Sequence, residues 1–465
     1  MNAQQVVYLW PFYNAEQNIA RQLKRLSAPN QDRLAEFKSV NFEAMFGYLV
    51  DKEKLALSEA QKEGVKLALT QPVSVITGGP GTGKTTSMRA LIRALQAKQK
   101  RIVLAAPTGR AAKRLSETTG VEAKTLHRLL QIKPGGKPLF DGDSPIPADM
   151  VIVDETSMLD TLLMNTLLKA VATGCHLLLV GDADQLPSVG AGNVLADLIT
   201  SGRVPVVKLD TIFRQAATSA IISNAHRINK GEVPETGRRS DGGDIADFFF
   251  VRRGRRRQGE RPHRGFGDEA HPGALRLCAQ RDSGAGPYAQ GQVRSGLLNE
   301  ALQNALNPAD AHKPQKAFGN RVFRPGDKVL QLRNNYDLDV FNGDAGGVAQ
   351  INTEDQFLRV TLEDGRTVDY DFTELDQLAL AYAISIHKSQ GSEYPAVVIP
   401  LVMGHYMMLE RKLIYTAVTR AKKLVVLVGS RKALGMAVKN AGMHKSGRFT
   451  GLAVRLANST AAPSA

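Results

Sequence analysis

At 465 residues the chain is long enough for two or three domains that each bury their own core, which excludes a single small binding module. Hydrophobic residues at 43% and charged residues at 23% are a globular balance, and no stretch approaches the roughly 20 apolar residues of a membrane span. The net charge of +15 points to a polyanionic partner such as nucleic acid, but residues 251–295 alone contribute a net of +6 and leave +9 for the rest.

In chain order, Val6 to Leu26 carries apolar residues at helical spacing, and Phe42 to Val50 suggests a second short helix. From Ser58 the pattern becomes α/β: a helix over Ala60 to Leu69, a strand at Val73 to Thr77, a helix at Lys84 to Gln96 and a strand at Ile102 to Ala106. Further strands are expected at Met150 to Val153 and His176 to Val180. Apolar strands alternating with helices imply a parallel sheet with its ligands at the strand C-termini. Thr211 to Lys230 reads as a helical link. A second α/β set falls at Leu375 to Ile386, Ala396 to Pro400, Arg411 to Ala421 and Leu424 to Val428. Between the two sets, Pro325 to Asp371 alternates short strands with turns, the pattern of a small β-barrel. Ser446 to Ala465 is small and polar at its end and is expected to fray.

Met1 to Phe12 lacks the basic and apolar regions of a secretory signal, so a cytoplasmic location is expected. Cys175 and Cys278 lie far apart without CxxC or Cys/His spacing, which argues against a metal cluster or a disulfide framework.

The chemistry begins at Gly78-Gly-Pro-Gly-Thr-Gly-Lys-Thr-Thr86, a GxxxxGK[ST] loop between a predicted strand and a predicted helix. Gly79, Gly81, Thr82 and Gly83 let successive amides face phosphate oxygens, Lys84 reaches the β- and γ-phosphates, and Thr85, followed by Thr86, offers a hydroxyl to Mg²⁺. ATP and Mg²⁺ are the ligands expected. The strand MVIV ends at Asp154-Glu155, one carboxylate to hold Mg²⁺ and one to orient and deprotonate water. After HLLLV comes Gly181-Asp-Ala-Asp-Gln-Leu-Pro-Ser-Val189, where Gln185 is expected beside the γ-phosphate. Ile212-Phe-Arg-Gln215 offers Arg214 as a cation for the same phosphate.

With LSEAQ (57–61), APTGRAA, DETSM, GDADQLPSVG, FRQ, ISIHKSQGSE (384–393) and YTAVTRAK (415–422) in this order, the chain resembles superfamily 1 helicases of the RecD-like branch. The resemblance covers nearly everything from Leu57 to Gly429. It implies two RecA-like P-loop NTPase domains with parallel sheets, an α/β fold with a small hairpin insertion in the first domain and an SH3-like β-barrel insertion in the second. The implied activity is ATP-dependent movement 5′ to 3′ on single-stranded DNA, with duplex junctions as substrates, in recombination or repair, by a chain expected to be a monomer. Position by position, the resemblance implies Gln61 on adenine, Arg214 and Arg420 as arginine fingers, and Gly391 and Glu393 near the ribose. Because Arg420 belongs to the second domain, hydrolysis would depend on closure of the cleft between domains. Pro107, Thr108, Arg110, Thr125, His127, His387 and Lys388 would line a DNA track, where hydroxyls, amides and a few cations hold phosphates without reading sequence. Leu130 to Pro147 resembles the pin that splits duplex in relatives.

The expected domains are a helical remnant at 1–56, a first RecA-like domain at 57–230 with its hairpin at 130–147, a second at 231–324 and 372–445, the barrel at 325–371 and a tail at 446–465. Full-length relatives carry a larger helical N-terminal region. Residues 251–295 depart from the pattern: they are rich in glycine and arginine, contain no lysine and show no sustained period, so the helix and core strand that relatives place there cannot be read. One reading is a disordered basic arm for nucleic acid. The other, favoured by the preserved length and the clean resumption at Gly296, is a compensated pair of frameshifts. Two other functions fit the motifs: the helicase part of a conjugative relaxase, for which no clustered histidines and catalytic tyrosine are seen, and a DNA-stimulated ATPase clamp without unwinding activity.

Overall fold

The computed structural model describes residues 7–28, 31–132, 138–211, 219–237, 246–252, 275–279, 295–335, 337–442 and 448–458, with 275–279 described as backbone alone. The chain divides into two compact units, Met1–Ala216 with His444–Ala465, and Ala217–Met443.

The first unit is a three-layer α/β domain. Its strands are β1 (Val73–Gly78), β2 (Ile102–Ala106), β3 (Ala123–Thr125), β4 (Met150–Val153), β5 (His176–Gly181) and β6 (Val206–Leu209), in the order β3-β2-β4-β5-β1-β6. All pair in parallel. Every residue of β1, β4 and β5 is buried, as a sheet covered on both faces requires. Alternate residues feed opposite cores: Val151, Val153, Leu177 and Leu179 face one cluster, Met150, Ile152, Leu178 and Val180 the other. The first cluster includes Ile19 and Leu23 of helix α1 (Trp10–Leu26); the second includes Phe46 and Leu49 of α2 (Phe42–Glu53), Val65 and Leu69 of α3 (Glu59–Thr70), and Leu91 and Leu95 of α4 (Lys84–Ala97). The three-residue β3 and the edge strand β6 are too short or too mixed in polarity to have been read beforehand.

The tail corrects the expectation of fraying. Leu452–Asn458 is a helix whose Leu452 and Leu456 are 1% and 2% exposed, packed in the first unit's core with Ile19 and Leu198. The i, i+4 leucine pair was the available signal, and it was outweighed by the small polar residues that follow. Of the expected hairpin, 133–137 lie outside the described residues; on either side, the Leu139 N–H donates to the Leu130 carbonyl at 3.1 Å.

The second unit carries a parallel sheet built from β7 (Phe248–Arg252), β8 (Leu275–Ala279), β16 (Ala383–Ser385), β17 (Tyr394–Leu401) and β18 (Ala421–Gly429), in the order β16-β8-β17-β18-β7. Between β8 and β16 in sequence come the ribbon β9 (Lys316–Phe318) with β10 (Arg321–Phe323), and an antiparallel sheet of β11 (Lys328–Gln331), β12 (Ala345–Asn352), β13 (Phe357–Leu362), β14 (Thr367–Asp371) and β15 (Leu378–Leu380). β8 corrects the reading of 251–295. Leu275–Ala279 pairs in parallel with β16 on one side and β17 on the other, a core-strand position within the stretch where no strand could be read. The remainder of that stretch, 253–274 and 280–294, lies outside the described residues.

A polar joint ties the antiparallel sheet to the helix Ser295–Leu306. The Asp327 carboxylate, fully buried, accepts from Gln303 Nε2 and Asn307 Nδ2 at 2.6 Å each and from Tyr382 Oη at 2.9 Å. Asn299 donates to and accepts from the backbone of Ala383, both at 2.8 Å, so its amide replaces a neighbouring strand along β16.

Candidate nucleotide and nucleic-acid sites

In the first unit the strand order brings the phosphate-loop residues together. The loop after β1, the acidic pair after β4 and Gln185 after β5 leave the C-terminal ends of three adjacent parallel strands, the edge where open α/β sheets bind ligands. Gly81 and Gly83 adopt φ of 73° and 82°, conformations that turn the amides around the loop and suit only glycine at low cost. Gly79 and Thr82 are buried, with the Thr82 hydroxyl donating to the Gly79 carbonyl at 2.9 Å. Lys84, Thr85 and Thr86 open α4 half-exposed, and Lys84 Nζ donates to the Gly78 and Gly79 carbonyls at 2.6 and 3.0 Å. An ammonium held on two carbonyls of the loop it serves is close to any phosphate that the loop receives.

Asp154 and Glu155 directly follow β4, with the Glu155 N–H on Asp154 Oδ1 at 2.8 Å, and Glu155 sits in the left-handed region at φ 52°. A non-glycine residue there is strained, and such strain collects at functional sites. Burial first, and then the Glu155 charge, push the Asp154 carboxyl up to about 6, opposed by the Glu155 amide, Lys84 and Arg114. A desolvated carboxylate followed directly by a second one, on the same sheet edge as the phosphate loop, is a hard-oxygen donor set, which fits Mg²⁺ held jointly with substrate phosphates.

Gln185 is 7% exposed, and its amide donates to Asp182 Oδ2 at 3.2 Å. Asp182 also accepts from the Asp184 N–H, and the Ala183 N–H reaches Thr77 Oγ1, so this loop is pinned to the base of the phosphate loop. Asp182 and Thr77 were not singled out in the sequence, although Asp182 lies inside the GDADQ motif. Arg214 lies outside the described residues.

Gln61 lies under the phosphate loop. It is fully buried; its Oε1 accepts from the Ser58 N–H at 2.8 Å while its Nε2 donates to the Gly83 carbonyl at 3.1 Å. With Ser58 it forms a capping box on α3. Both ends of the amide are therefore bonded to protein, and Gln61 braces the phosphate loop.

The residues assigned to DNA leave the neighbouring strand ends, β2 and β3. Thr108 caps α5 (Gly109–Thr119) by accepting from Ala111 N–H, and Thr125 caps the short helix α6 (Leu126–Leu129) by accepting from Arg128 N–H. Each hydroxyl keeps its own proton to donate, and each stands at the positive end of a helix. Pro107, Arg110 and His127 are half-buried beside them. Burial lowers the pKa of His127, opposed by Asp160, which favours the neutral ring.

In the second unit, His387 and Lys388 lie in the 3₁₀ turn after β16, the lysine exposed and the histidine half-buried. Gly391 and Glu393 follow directly, and the residues beside them meet Arg420: Arg420 Nη1 donates to the Ser392 carbonyl at 3.1 Å, and Tyr394 N–H donates to the Arg420 carbonyl at 2.7 Å. Arg420, 3% exposed, also donates to the Thr416 carbonyl and Thr419 Oγ1, both at 3.3 Å. Glu393 pairs with Lys422 at 3.5 Å. Two motifs about thirty residues apart are thus one cluster.

The first unit's fold and phosphate loop define a P-loop nucleotide-binding domain, with a second parallel-sheet unit and an antiparallel sheet in the same chain. Residues 56–248 match the AAA domain model, 298–362 the ATP-dependent RecD-like DNA helicase SH3 domain and 380–428 the UvrD-like helicase C-terminal domain. The RecBCD enzyme subunit RecD of Mycobacterium tuberculosis is 34% identical over 443 residues, covering 84% of this chain and 72% of that protein. The chain therefore belongs to the RecD-like DNA helicase family. The ATP-dependent RecD2 DNA helicase of Deinococcus radiodurans is 36% identical over 418 residues, covering 87% of this chain but 53% of that protein, so the chain spans about half of that relative. Among solved structures, one described as the structural basis for DNA unwinding at forked duplex DNA by two coordinating Pif1 helicases aligns with a TM-score of 0.50 at 20% identity. It covers 80% of this chain and 92% of that one, a likeness of fold. No helix among the described residues is long and apolar enough to cross a membrane.

Proposed function

We propose that the chain is an ATP-driven DNA helicase that moves 5′ to 3′ along single-stranded DNA, acting at duplex junctions in recombination or repair. The observation that supports this best is the division of one strand edge: the phosphate loop, Asp154, Glu155 and Gln185 at β1, β4 and β5, and the capped threonines at β2 and β3. An element that moves with the nucleotide site also moves the strand ends proposed to hold DNA.

In hydrolysis, water attacks the γ-phosphorus of ATP as the bond to the bridging oxygen of ADP breaks, and Glu155 takes the proton of the attacking water. Lys84 and the loop amides hold the phosphate oxygens, and Gln185 orients the water or the γ-phosphate. Thr85 and Asp154 would hold Mg²⁺, which supplies charge neutralisation on the β- and γ-phosphates when bound. Arg214 and Arg420 are proposed as the cations that answer transition-state charge. On the nucleic acid, Thr108, Thr125, Arg110, His387 and Lys388 hold backbone phosphates, which predicts binding without sequence preference and with steep salt dependence.

The test is ATP turnover with and without single-stranded DNA, followed by strand separation on duplexes with a 5′ or a 3′ tail. Stimulated turnover with opening of the 5′-tailed duplex is expected. Stimulation with no strand separation would replace the helicase reading with a clamp, and opening of the 3′-tailed duplex alone would reverse the direction.

A further inference from the structure

The loop that carries Gln185 has a second anchor, and it comes from the far end of the chain. At its inner end the loop is pinned by Thr77 and Asp182. Three residues beyond Gln185, the Ser188 carbonyl accepts from Arg448 Nη2, while Arg448 Nη1 donates to Ser188 Oγ at 3.3 Å, to the Gly192 carbonyl at 2.8 Å and to the Gly190 carbonyl. One guanidinium thus gathers three alternate carbonyls, those of Ser188, Gly190 and Gly192, a geometry that its planar fork of donors suits.

The opposite side of this loop lies against the start of α7 (Thr161–Ala170), directly after the DETSM segment. A Cβ at Gly190 would strike the Asp160 carboxylate and one at Gly192 the Thr161 hydroxyl, while the Thr161 N–H donates to the Ala191 carbonyl at 2.9 Å. The Thr156 hydroxyl, next to Glu155, donates to the Val180 carbonyl at 2.9 Å. Residues 188–192 are therefore clasped between α7 and Arg448, and what holds them also holds the span between Gln185 and the acidic pair. Arg448 itself is seated by its immediate neighbours, Thr450 donating to Asp197 at 2.8 Å and the Gly451 N–H to the buried Glu16; further along, and away from the loop, Arg455 donates to Glu16 and Arg203 to the Ala457 carbonyl.

The geometry points to Arg448 as a positioning residue for nucleotide hydrolysis, fixing the 188–192 loop and through it the place of Gln185. It touches no proposed substrate atom, so its effect falls on the chemical step and not on nucleotide affinity. This inference rests on the reading of Gln185 as part of the hydrolysis site.

The experiment compares Arg448→Ala with Arg455→Ala, which loosens the same C-terminal helix away from the loop. DNA-stimulated ATP turnover, thermal midpoint and hydrogen exchange of amides 182–192 are measured on each full-length chain. Arg448→Ala should lower kcat by about tenfold or more with KM for ATP within about twofold, because small displacements of an orienting group are costly. Exchange should rise in 182–192 and stay unchanged in α4. Arg455→Ala should lower the thermal midpoint and leave kcat near the parent's. Parent-like kcat and exchange in Arg448→Ala would overturn the inference, as would equal losses of kcat in both variants in step with their midpoints. A parent without DNA-stimulated turnover would instead sink the helicase reading, and the exchange measurement would still decide whether Arg448 holds the loop.

Discussion

The two parallel sheets make an instructive pair. In the first unit β1, β4 and β5 are apolar runs buried along their whole length, and every strand of the nucleotide edge could be read before the fold was known. In the second unit β17 and β18 were legible in the same way, but the position between β16 and β17 is taken by Leu275–Ala279, from a stretch without recognisable period. A strand that is apolar along its whole length announces itself through composition, whereas Leu275–Ala279, with an arginine inside it and no periodic flanks, is visible only once its neighbours are in place. The chemistry follows the same division: the first unit's motifs are contiguous with their strands, and the second unit's cluster forms by bringing Ser392 to Arg420.

Substitutions that strike one unit at a time sharpen this contrast. Lys84→Ala removes the ammonium from the phosphate loop, and ATP turnover should be abolished while DNA binding persists. Normal turnover in that variant would defeat the mechanism assigned to the first unit. Arg420→Ala tests the second unit's share: turnover should fall on the order of 10³-fold with nucleotide affinity nearly intact, since a finger acts on transition-state charge. Turnover equal to the parent's would remove it from the reaction.

The sheets themselves can be compared by proline substitution at central positions. Leu178→Pro in β5 and Leu277→Pro in β8 each remove a ladder donor from a strand paired on both sides, at a cost of at least about 2 kcal/mol. Denaturant unfolding should show both variants destabilised. If Leu277→Pro unfolds like the parent while Leu178→Pro does not, β8 is not a structural strand of the second sheet, and the frameshift reading of its surroundings gains ground.

The smallest expected effect lies at Asp197, on which Thr450 docks just before the C-terminal helix. Burial, with a contribution from the Glu16 charge, pushes the Asp197 carboxyl up to about 6, opposed by Thr450. The folded state therefore binds this proton more tightly than the unfolded chain does, and the stability so gained is complete below the ordinary value near 3.8 and lost as pH rises through about 6. Asp197→Asn keeps an acceptor for Thr450 and should raise stability near pH 7.5 by about 1 to 2 kcal/mol, with no gain below pH 4. An equal difference at both pH values would mean that the substitution acts through packing and not through charge.

The sequence alone determined the family, the alternation of strand and helix around the phosphate loop, and the residue types at each strand end. These depend on local periodicity and on backbone chemistry within a few residues, as at Gly81 and Gly83, and survive without knowledge of the fold. Only the tertiary structure decided that Gln61 turns inward to brace the loop, that Leu452 and Leu456 belong to the first unit's core, that Asn299 completes the edge of β16, and that Arg448 reaches the carbonyls beyond Gln185. Each of these partnerships except that of Gln61 joins residues more than eighty positions apart, and Gln61 meets a loop about twenty residues on. A hydrogen-bonding side chain leaves no periodic mark on its sequence, because its partner is chosen by where the folded backbone brings an unpaired carbonyl or amide.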